Sequence, residues 1–456
     1  MNFASVTFLF YFLPILIALY YLSPNRTLKN QCLLIGSLLF YAWGEGIFLL
    51  LLLGSIVLNH IFVRIIHRRD SKKAALALAI ALNLAVLIFF KYAGWLWGAL
   101  TGFAEPTLAL HLPLGISFFT FQAISMLVDV YRGVKPPDNV MKTGLYISMF
   151  PQLIAGPIVR FNEIRDQIDN RQETWDRFSS GMLIFILGLS QKLLLADTLA
   201  IPADAAFSAQ AGQLTVAAAW LGLICFSLQI YYDFAGYSNM AIGLGRFFGF
   251  ELPRNFEHPY SAKSFREFWQ RWHMTLSRWF RDYLYIPLGG SRRGQVLTYR
   301  NLLIVFVLCG LWHGANITFL LWGLWHGAFL IGERLAAKAT AFRLPSFIGI
   351  FYVCLFVALG WVLFRAENMA QAMSYYGNLF GINAGVADIP LQGYAVIALV
   401  AGLALSWDGW KKLAGFGQKY PALHTALVWS FVGGLYLCCF IMVASQTHKP
   451  FLYFRF

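Results

Sequence analysis

Charge is what this chain has least of. Only 12% of its 456 residues are Asp, Glu, Lys or Arg, about half the share found in a soluble globular domain. No stretch is polar enough to form a separate soluble domain, which excludes the two to four soluble domains that the length alone would suggest. Cysteine is also scarce. The six (Cys32, Cys225, Cys309, Cys354, Cys438 and Cys439) lie mostly inside apolar runs. No pair has zinc-ligand or CxxC spacing, so a disulfide framework and a structural metal are excluded. No internal repeat of about 20–50 residues runs through the chain, which excludes a solenoid. The first apolar run lacks a basic leader and a small-residue cleavage site, so it reads as a retained helix rather than a signal peptide.

What is abundant is apolar. The chain is 59% hydrophobic, with 42 Phe, 21 Tyr and 15 Trp, so much of its surface must face lipid. A bilayer core is crossed by about 20 helical residues. Runs of that length, or close to it, occupy 3–23, 31–43, 46–66, 74–93, 112–131, 179–198, 214–234, 301–311 joined to 316–333, 346–364, 393–408 and 424–444. The pattern predicts an all-α polytopic membrane protein with about 11–12 transmembrane helices, forming one membrane-embedded domain over 1–456. The run 143–159 contains Pro151, Gly156 and Pro157. It is expected to be a broken or re-entrant element, which survives at membrane depth only where protein or a water-filled cavity covers it.

The net charge of +14 does not point to nucleic acid, because the basic residues are spread over short loops between apolar runs. That distribution orients membrane proteins. With the cluster Arg64, Arg68, Arg69, Lys72 and Lys73 in the cytoplasm, the loops 24–30, 254–300, 334–343 and 411–419 fall there too. The N-terminus is then extracytoplasmic.

The densest chemistry lies between Asn255 and Arg334. Ser264 followed by Glu267 marks a capping-box start. The residues after it, Phe-Trp-Gln-Arg-Trp-His-Met-Thr-Leu-Ser-Arg-Trp-Phe-Arg-Asp-Tyr at 268–283, read as one amphipathic, Trp-rich basic helix. Such a helix is suited to the membrane interface, either as a peripheral anchor or lining a cytoplasmic mouth for an anionic acyl donor. His273 on it is either a structural hydrogen-bonding residue or a functional one. The loop Leu-Gly-Gly-Ser-Arg-Arg-Gly at 288–294 reads as a basic turn, or as a phosphate contact. In Leu-Cys-Gly-Leu-Trp-His-Gly-Ala-Asn at 308–316, His313, glycines and Asn316 interrupt an apolar run. An ionisable residue at membrane depth is by default a functional candidate, and a neutral imidazole suits removal of a hydroxyl proton near pH 7. The alternative is a helix-packing histidine bonded to a carbonyl. Gly310 and Gly314 would let backbone or substrate approach closely. Trp-His-Gly-Ala recurs at 325–328. On a continuous helix His313 and His326 would sit roughly 140° apart, so they are not read as a metal-ligand pair. Tyr231, Tyr232, Asp233, Tyr237, Ser238 and Asn239 form a polar break around Gly236 that lines a cavity or bonds neighbouring helices.

Several motifs, in order along nearly the whole chain, resemble those of the membrane-bound O-acyltransferases. The branch is the one that includes the bacterial alginate O-acetylation protein and, more distantly, the lipoteichoic acid D-alanylation protein. The motifs are Leu-Gly-Ile-Ser-Phe at 114–118, Ile-Ala-Gly-Pro-Ile-Val-Arg at 154–160 and Tyr-Asp-Phe-Ala-Gly-Tyr-Ser at 232–238. Phe-Trp-Gln-Arg-Trp-His at 268–273, Arg-Asp-Tyr-Leu-Tyr-Ile-Pro-Leu-Gly-Gly at 281–290, Gly-Leu-Trp-His-Gly-Ala-Asn at 310–316 and Phe-Leu-Tyr-Phe-Arg-Phe at the close complete the set.

The resemblance implies helices around a central funnel, with a core motif region over 114–334. It implies His313 as the essential histidine and His273 as the second. Trp312, Asn316, Trp269, Arg271, Asp282 and Asp233 are expected to line the substrate by position. It implies a multi-pass protein of the bacterial inner membrane that binds no cofactor. The acyl donor would be acetyl-CoA on the cytoplasmic side, an extracytoplasmic acetyltransferase would be the partner, and an exported polysaccharide of alginate or cellulose type would be the final acceptor. The alternatives are D-alanyl transfer of the teichoic-acid type and a non-catalytic transporter or scaffold for an acyl carrier.

Overall fold

The structure, a computed structural model, describes residues 2–68, 72–101, 112–210, 212–339, 345–409, 421–445 and 451–452. Arg69 of the basic cluster, positions 340–343 and 411–419 of the basic loops, and 453–456 of the closing motif lie outside the described residues. Among the described residues the regular structure is helical, with only an isolated bridge between Leu214 and Ala387. Lipid offers a backbone N–H or C=O no partner, so a spanning segment must satisfy its own, and the helix does this within one segment.

The chain divides into two compact units. One is Met1–Phe185 with Tyr237–Arg254; the other is Ile186–Gly236 with Asn255–Phe456. The first holds α1 (Thr7–Leu22), α2 (Arg26–Glu45), α3 (Leu49–Arg68), α4 (Lys72–Thr101), α5 (Ile116–Tyr131), α6 (Val140–Ser148), α7 (Phe150–Leu153) and α8 (Phe161–Asn170). Two helices pass from one unit's residues into the other's. They are α9 (Trp175–Ser190), which runs through a π-helical turn at Gln191–Ala196 into α10 (Asp197–Ser208), and α11 (Val216–Phe247). The second unit continues with α12 (Phe265–Arg271), α13 (Met274–Phe280), α14 (Gln295–His313), α15 (Ile317–Ala339), α16 (Ser346–Arg365), α17 (Met369–Leu379), α18 (Gly393–Ser406) and α19 (Pro421–Ala444).

Among the described residues seven helical stretches are long and apolar enough to cross a membrane, and α1, α5 and α18 are shorter apolar helices. The sequence reading expected about 11–12 spans. It counted α2 and α3 separately, and they are separate helices, broken at Gly46 with φ +53°, within what the seven count as one stretch, Arg26–Arg68. It also counted α15, whose histidine, glycines and glutamate interrupt its apolar character. Only 17% of the residues in the most apolar stretches of α4 and α19 are buried inside protein, against 72% in α11. The first two therefore face lipid and α11 belongs to the interior. Asparagines start helices where the chain leaves a polar loop: Asn25 and Asn139 accept from Leu28 N and Lys142 N at 2.9 and 3.0 Å, supplying the partner that first-turn amides lack.

In the first unit, the run expected to be broken is broken. It folds as α6, α7 and an irregular return to Arg160. A Cβ on Gly156 would lie 2.4 Å from Pro151 O, so this backbone doubles back on itself. Its polar groups find partners within protein: Gln152 Nε2 donates to Tyr146 O at 2.6 Å and Tyr146 Oη to Val159 O at 3.0 Å. Asn59 on α3 and Asn83 on α4 exchange amide hydrogen bonds at 2.9 and 3.1 Å, a polar clasp of the kind used between membrane helices.

The start of α2 is tied to the loop before α9 by an ion network. Arg26 bonds Glu173, Lys29 Nζ lies 3.6 Å from the same carboxylate, and Tyr20 Oη donates to it. Burial pushes the Glu173 carboxyl up. The Arg26 guanidinium, the Tyr20 hydroxyl and Lys29 outweigh this and hold it down at about 2. A carboxylate whose folded pKa is depressed stabilises the fold above its ordinary pKa, and that stabilisation fades as pH falls through the folded value. The thermal stability advantage of wild type over Glu173→Gln, measured in detergent, should therefore be full at pH 7. It should shrink between about pH 4.5 and pH 2. A difference independent of pH would show that this pairing is not the source.

Candidate active site

In the second unit the chain 255–258 runs beside the residues between α12 and α13. Ser264 starts α12, accepting from Glu267 N at 3.1 Å. The carboxylate of Glu333 on α15 also receives Phe265 N and Arg266 N, at 2.6 and 3.2 Å. The single amphipathic helix expected over 268–283 is instead two seven-residue helices broken at Trp272–His273. His273 has φ +40°, a left-handed conformation that costs a non-glycine residue about 1–3 kcal/mol.

The surrounding bonds explain why it persists. Asn255 Oδ1 accepts from His273 Nδ1 at 3.1 Å, from Thr275 N at 3.2 Å and from Thr275 Oγ1 at 2.9 Å. Asn255 O accepts from Met274 N, and Glu257 N donates to Arg271 O, both at 2.9 Å. The aromatic side chains of this segment also depart from expectation. Phe265, Phe268, Trp269, Trp272, Trp279 and Phe280 are buried in protein, so this is not a surface anchor.

His313 is the last residue of α14, and it too sits at a break, 314–316, before α15 begins. His313 and His326 are therefore not on one continuous helix as the angular estimate assumed. Both rings pack 4.9 Å from the ring of Trp322. The helices on either side of the break meet through glycine. A Cβ on Gly310 would lie 2.3 Å from Phe319 O, one on Gly323 would lie 2.2 Å from Phe306 O, and one on Gly314 would strike the Phe319 ring. These glycines admit protein backbone and an aromatic ring, not substrate. Gly236 behaves likewise: a Cβ there would lie 2.7 Å from Gly188 O, and of the polar residues around it Tyr232 and Asp233 bond other helices, at Gly402 O and Lys192.

The two histidines line one cavity of about 10 Å³ together with Ile230, Phe234, Trp272, Trp322, Trp361 and Phe364. That is room for about one water molecule. His313 Nδ1 donates to Cys309 O at 2.7 Å. A carbonyl oxygen only accepts, so Nδ1 carries the proton and the lone pair of the neutral ring is on Nε2. The same logic holds for His273. Asn255 Oδ1 already accepts a backbone N–H, so His273 Nδ1 donates to it and the lone pair of the neutral ring is likewise on Nε2. Burial, and after it the neighbouring His313, hold the His273 imidazole well below its ordinary pKa, so it is uncharged at neutral pH.

The other residues expected from sequence are spread around this centre. Trp312 is buried with its ring 4.9 Å from His313 and 6.1 Å from His273. Trp269 donates its indole N–H to His326 Nδ1 at 3.3 Å. Asn316 holds the break after His313, giving its amide to Glu367 O at 2.6 Å and accepting from Thr318 N at 3.2 Å. Arg271 bridges Glu267 and Asp408 at 2.6 and 3.0 Å, and Asp282 pairs with Arg281 at 2.7 Å. Asp233 binds Lys192 at 2.6 Å and receives Leu452 N at 2.8 Å. Trp322, Trp361 and Phe364 were missed. In an apolar helix an aromatic residue carries no signal of which cavity it will face.

The chain is thus an all-helical fold in which two histidines at helix breaks face one aromatic-lined cavity. The model of the membrane-bound O-acyltransferase family matches residues 139–374. The whole chain is 41% identical to the whole of a Pseudomonas putida protein named "Probable alginate O-acetylase AlgI". It is 37% identical, over 84% of its length and 80% of the relative's, to a Helicobacter pylori protein named "Peptidoglycan O-acetyltransferase". It is 32% identical, over 46% of its length and 55% of the relative's, to a Streptococcus thermophilus protein named "Teichoic acid D-alanyltransferase". The chain belongs to the membrane-bound O-acyltransferase family: it is a multi-pass membrane enzyme of the acyltransferase class.

Two substitutions test how the site is held. Gly323→Ala should force α14 and α15 apart, lower stability by about 1–3 kcal/mol and reduce activity even though no side chain that touches the cavity is changed. Asn255→Ala should leave three buried donors without their acceptor, at about 1–3 kcal/mol each. Its loss of activity should not add to that of His273→Ala, because both act on one imidazole. Unfolding midpoints and transfer rates of the single and double variants check both.

Proposed function

We propose that this enzyme transfers an acetyl group from acetyl-CoA on the cytoplasmic side to a hydroxyl acceptor on the other side, for O-acetylation of an exported polysaccharide. The observation that carries the reading is the His313 Nδ1–H bond to Cys309 O. It leaves Nε2 as a base in a cavity that His273 shares. His313 Nε2 takes the proton of the acceptor hydroxyl while its oxygen bonds to the thioester carbonyl carbon. Collapse of the tetrahedral adduct breaks the carbon–sulfur bond, and the CoA thiolate leaves with the proton held by His313. A positioned general base contributes about 10²–10⁴-fold. His273, uncharged and anchored by Asn255, bounds the same cavity as the second imidazole. Trp312 packs against both rings and Trp269 against Trp322 at 5.9 Å, while Asn316 secures the break.

Acetate is favoured over D-alanine by the cavity itself. Its lining contains no carboxylate, so the ammonium of a D-alanyl group would be buried without an ionic partner, at a cost of several kcal/mol. The relatives named for O-acetylation also align over 83–100% of the chain, against 44–46% for the two named for D-alanylation. Alginate, cellulose and peptidoglycan all offer hydroxyl acceptors, and a separate extracytoplasmic acetyltransferase with a hydroxyl nucleophile is the immediate acceptor in this reading. The basic loops put the N-terminus outside the bacterial inner membrane.

The test is transfer from labelled acetyl-CoA by purified protein with a candidate acceptor. His313→Ala should lower turnover at least about 100-fold while leaving the unfolding midpoint near that of wild type. Undiminished transfer by the folded variant rules His313 out as the base, and translocation of an intact donor without transfer would make the protein a transporter.

A further inference from the structure

Trp322 is fully buried, lies on α15 and lines the cavity. Its ring is 4.9 Å from that of His313, stacks on Trp361 at 5.8 Å and packs edgewise on Phe364 at 5.1 Å. Four other tryptophans of this unit give their indole N–H to a named acceptor. Trp269 donates to His326 Nδ1, Trp220 to Leu379 O, Trp325 to Phe356 O and Trp361 to Tyr260 Oη. Trp322 Nε1 has no hydrogen-bond partner among the described residues. A buried indole N–H ordinarily finds one, and leaving it without one costs about the desolvation of the group. The Nε2 of His326 is in the same condition, but His326 is not part of the cavity wall.

We infer that Trp322 is a catalytic residue whose indole N–H binds the acyl carbonyl oxygen and stabilises the negative charge that develops on it. The inference rests on the acetyl-transfer reading. When the acceptor oxygen bonds to the carbonyl carbon, the C=O π pair moves onto oxygen. The Trp322 N–H donates to that oxygen, and the pair returns as the carbon–sulfur bond breaks. The donor keeps its proton throughout. The site needs such a group because its base, His313 Nε2, serves the attacking oxygen; of the two other tryptophans in the wall, Trp272 and Trp361, Trp361 is committed to Tyr260. The ring packs against Trp361, Phe364 and His313, so the dipole is oriented before the charge appears. That is the condition under which a single donor of this kind contributes about 10²–10³-fold in kcat.

The experiment replaces Trp322 with 3-benzothienylalanine, in which sulfur stands for the N–H and the ring keeps its shape, and separately makes Trp322→Phe. Both are assayed in the full-length protein in detergent. Turnover of acetyl-CoA is measured, and so is binding of S-ethyl-CoA, a thioether with the same chain length but no carbonyl oxygen. The expected result is a fall in kcat of about 100-fold or more in both variants, with S-ethyl-CoA affinity within about 2-fold of wild type. Two results overturn the inference alone: wild-type kcat in the benzothienyl variant, or loss of S-ethyl-CoA binding in parallel with turnover, which would mark a packing role. Absence of acetyl turnover in the wild type overturns the acetyl-transfer reading itself, and this assignment falls with it.

Discussion

The need to pair every backbone donor and acceptor away from water shapes this molecule, and the candidate site sits where helices stop obeying it on their own. At His273 the helix ends after seven residues, and the freed groups are taken by Asn255 and the chain beside it. At 314–316 the break is closed by Asn316, which gives its amide to Glu367 O and receives Thr318 N. In both places a polar side chain replaces what the helix gave up. Each histidine therefore stands at a helix end, where its ring can reach a neighbour's space. A histidine in mid-helix would pack against its own flanks.

The second constraint is distance. Gly310 and Gly323 bring α14 and α15 together until carbonyl oxygens occupy the places that Cβ atoms would take. Ring packing fills the space next to this contact: Trp322 meets His313, Trp361 and Phe364, while Phe234 meets His273 at 4.6 Å. Protein interiors shift as packed units, so a methyl group at Gly323 would act on the His313–Trp322 spacing without touching either ring. The glycines set the geometry of the candidate site for that reason, although neither is part of the cavity wall.

How much of this was legible in the sequence depends on the kind of signal. His313 stood out because an ionisable residue in an apolar run is costly, and Ser264 because a cap has a local pattern. The broken element at 143–159 followed from its prolines and glycine. The break at 272–273 left no trace. Phe-Trp-Gln-Arg-Trp-His-Met contains neither glycine nor proline, and the left-handed turn is imposed by Asn255, a tertiary partner 18 residues away. The aromatic residues of 265–280 have helical spacing whether they meet lipid or protein, and the same ambiguity hid Trp322, Trp361 and Phe364. The polar residues around Gly236 left two readings open, cavity lining or bonds to neighbouring helices, because their partners were out of sight. Asp233 answers to Lys192, 41 residues away, and the helix runs on unbroken.

The placement of charge follows from the same economy. Lys192 sits between Asp197 and Asp233 at 2.8 and 2.6 Å, and Asp233 also receives Leu452 N. The charges buried in this unit are thus matched to one another. The next residue along α11, Phe234, turns an uncharged ring to His273. A carboxylate in the cavity wall would draw a proton onto the imidazoles and remove the base. A fixed cation there would hold the developing oxyanion, but it would also bind any anion that entered and slow its release. Neutral imidazoles, aromatic walls and an indole dipole avoid both outcomes. In the acetyl-transfer reading proposed above, the charge that matters would then arise only as the acyl group is attacked, and an arrangement of that kind favours the transition state over the bound donor.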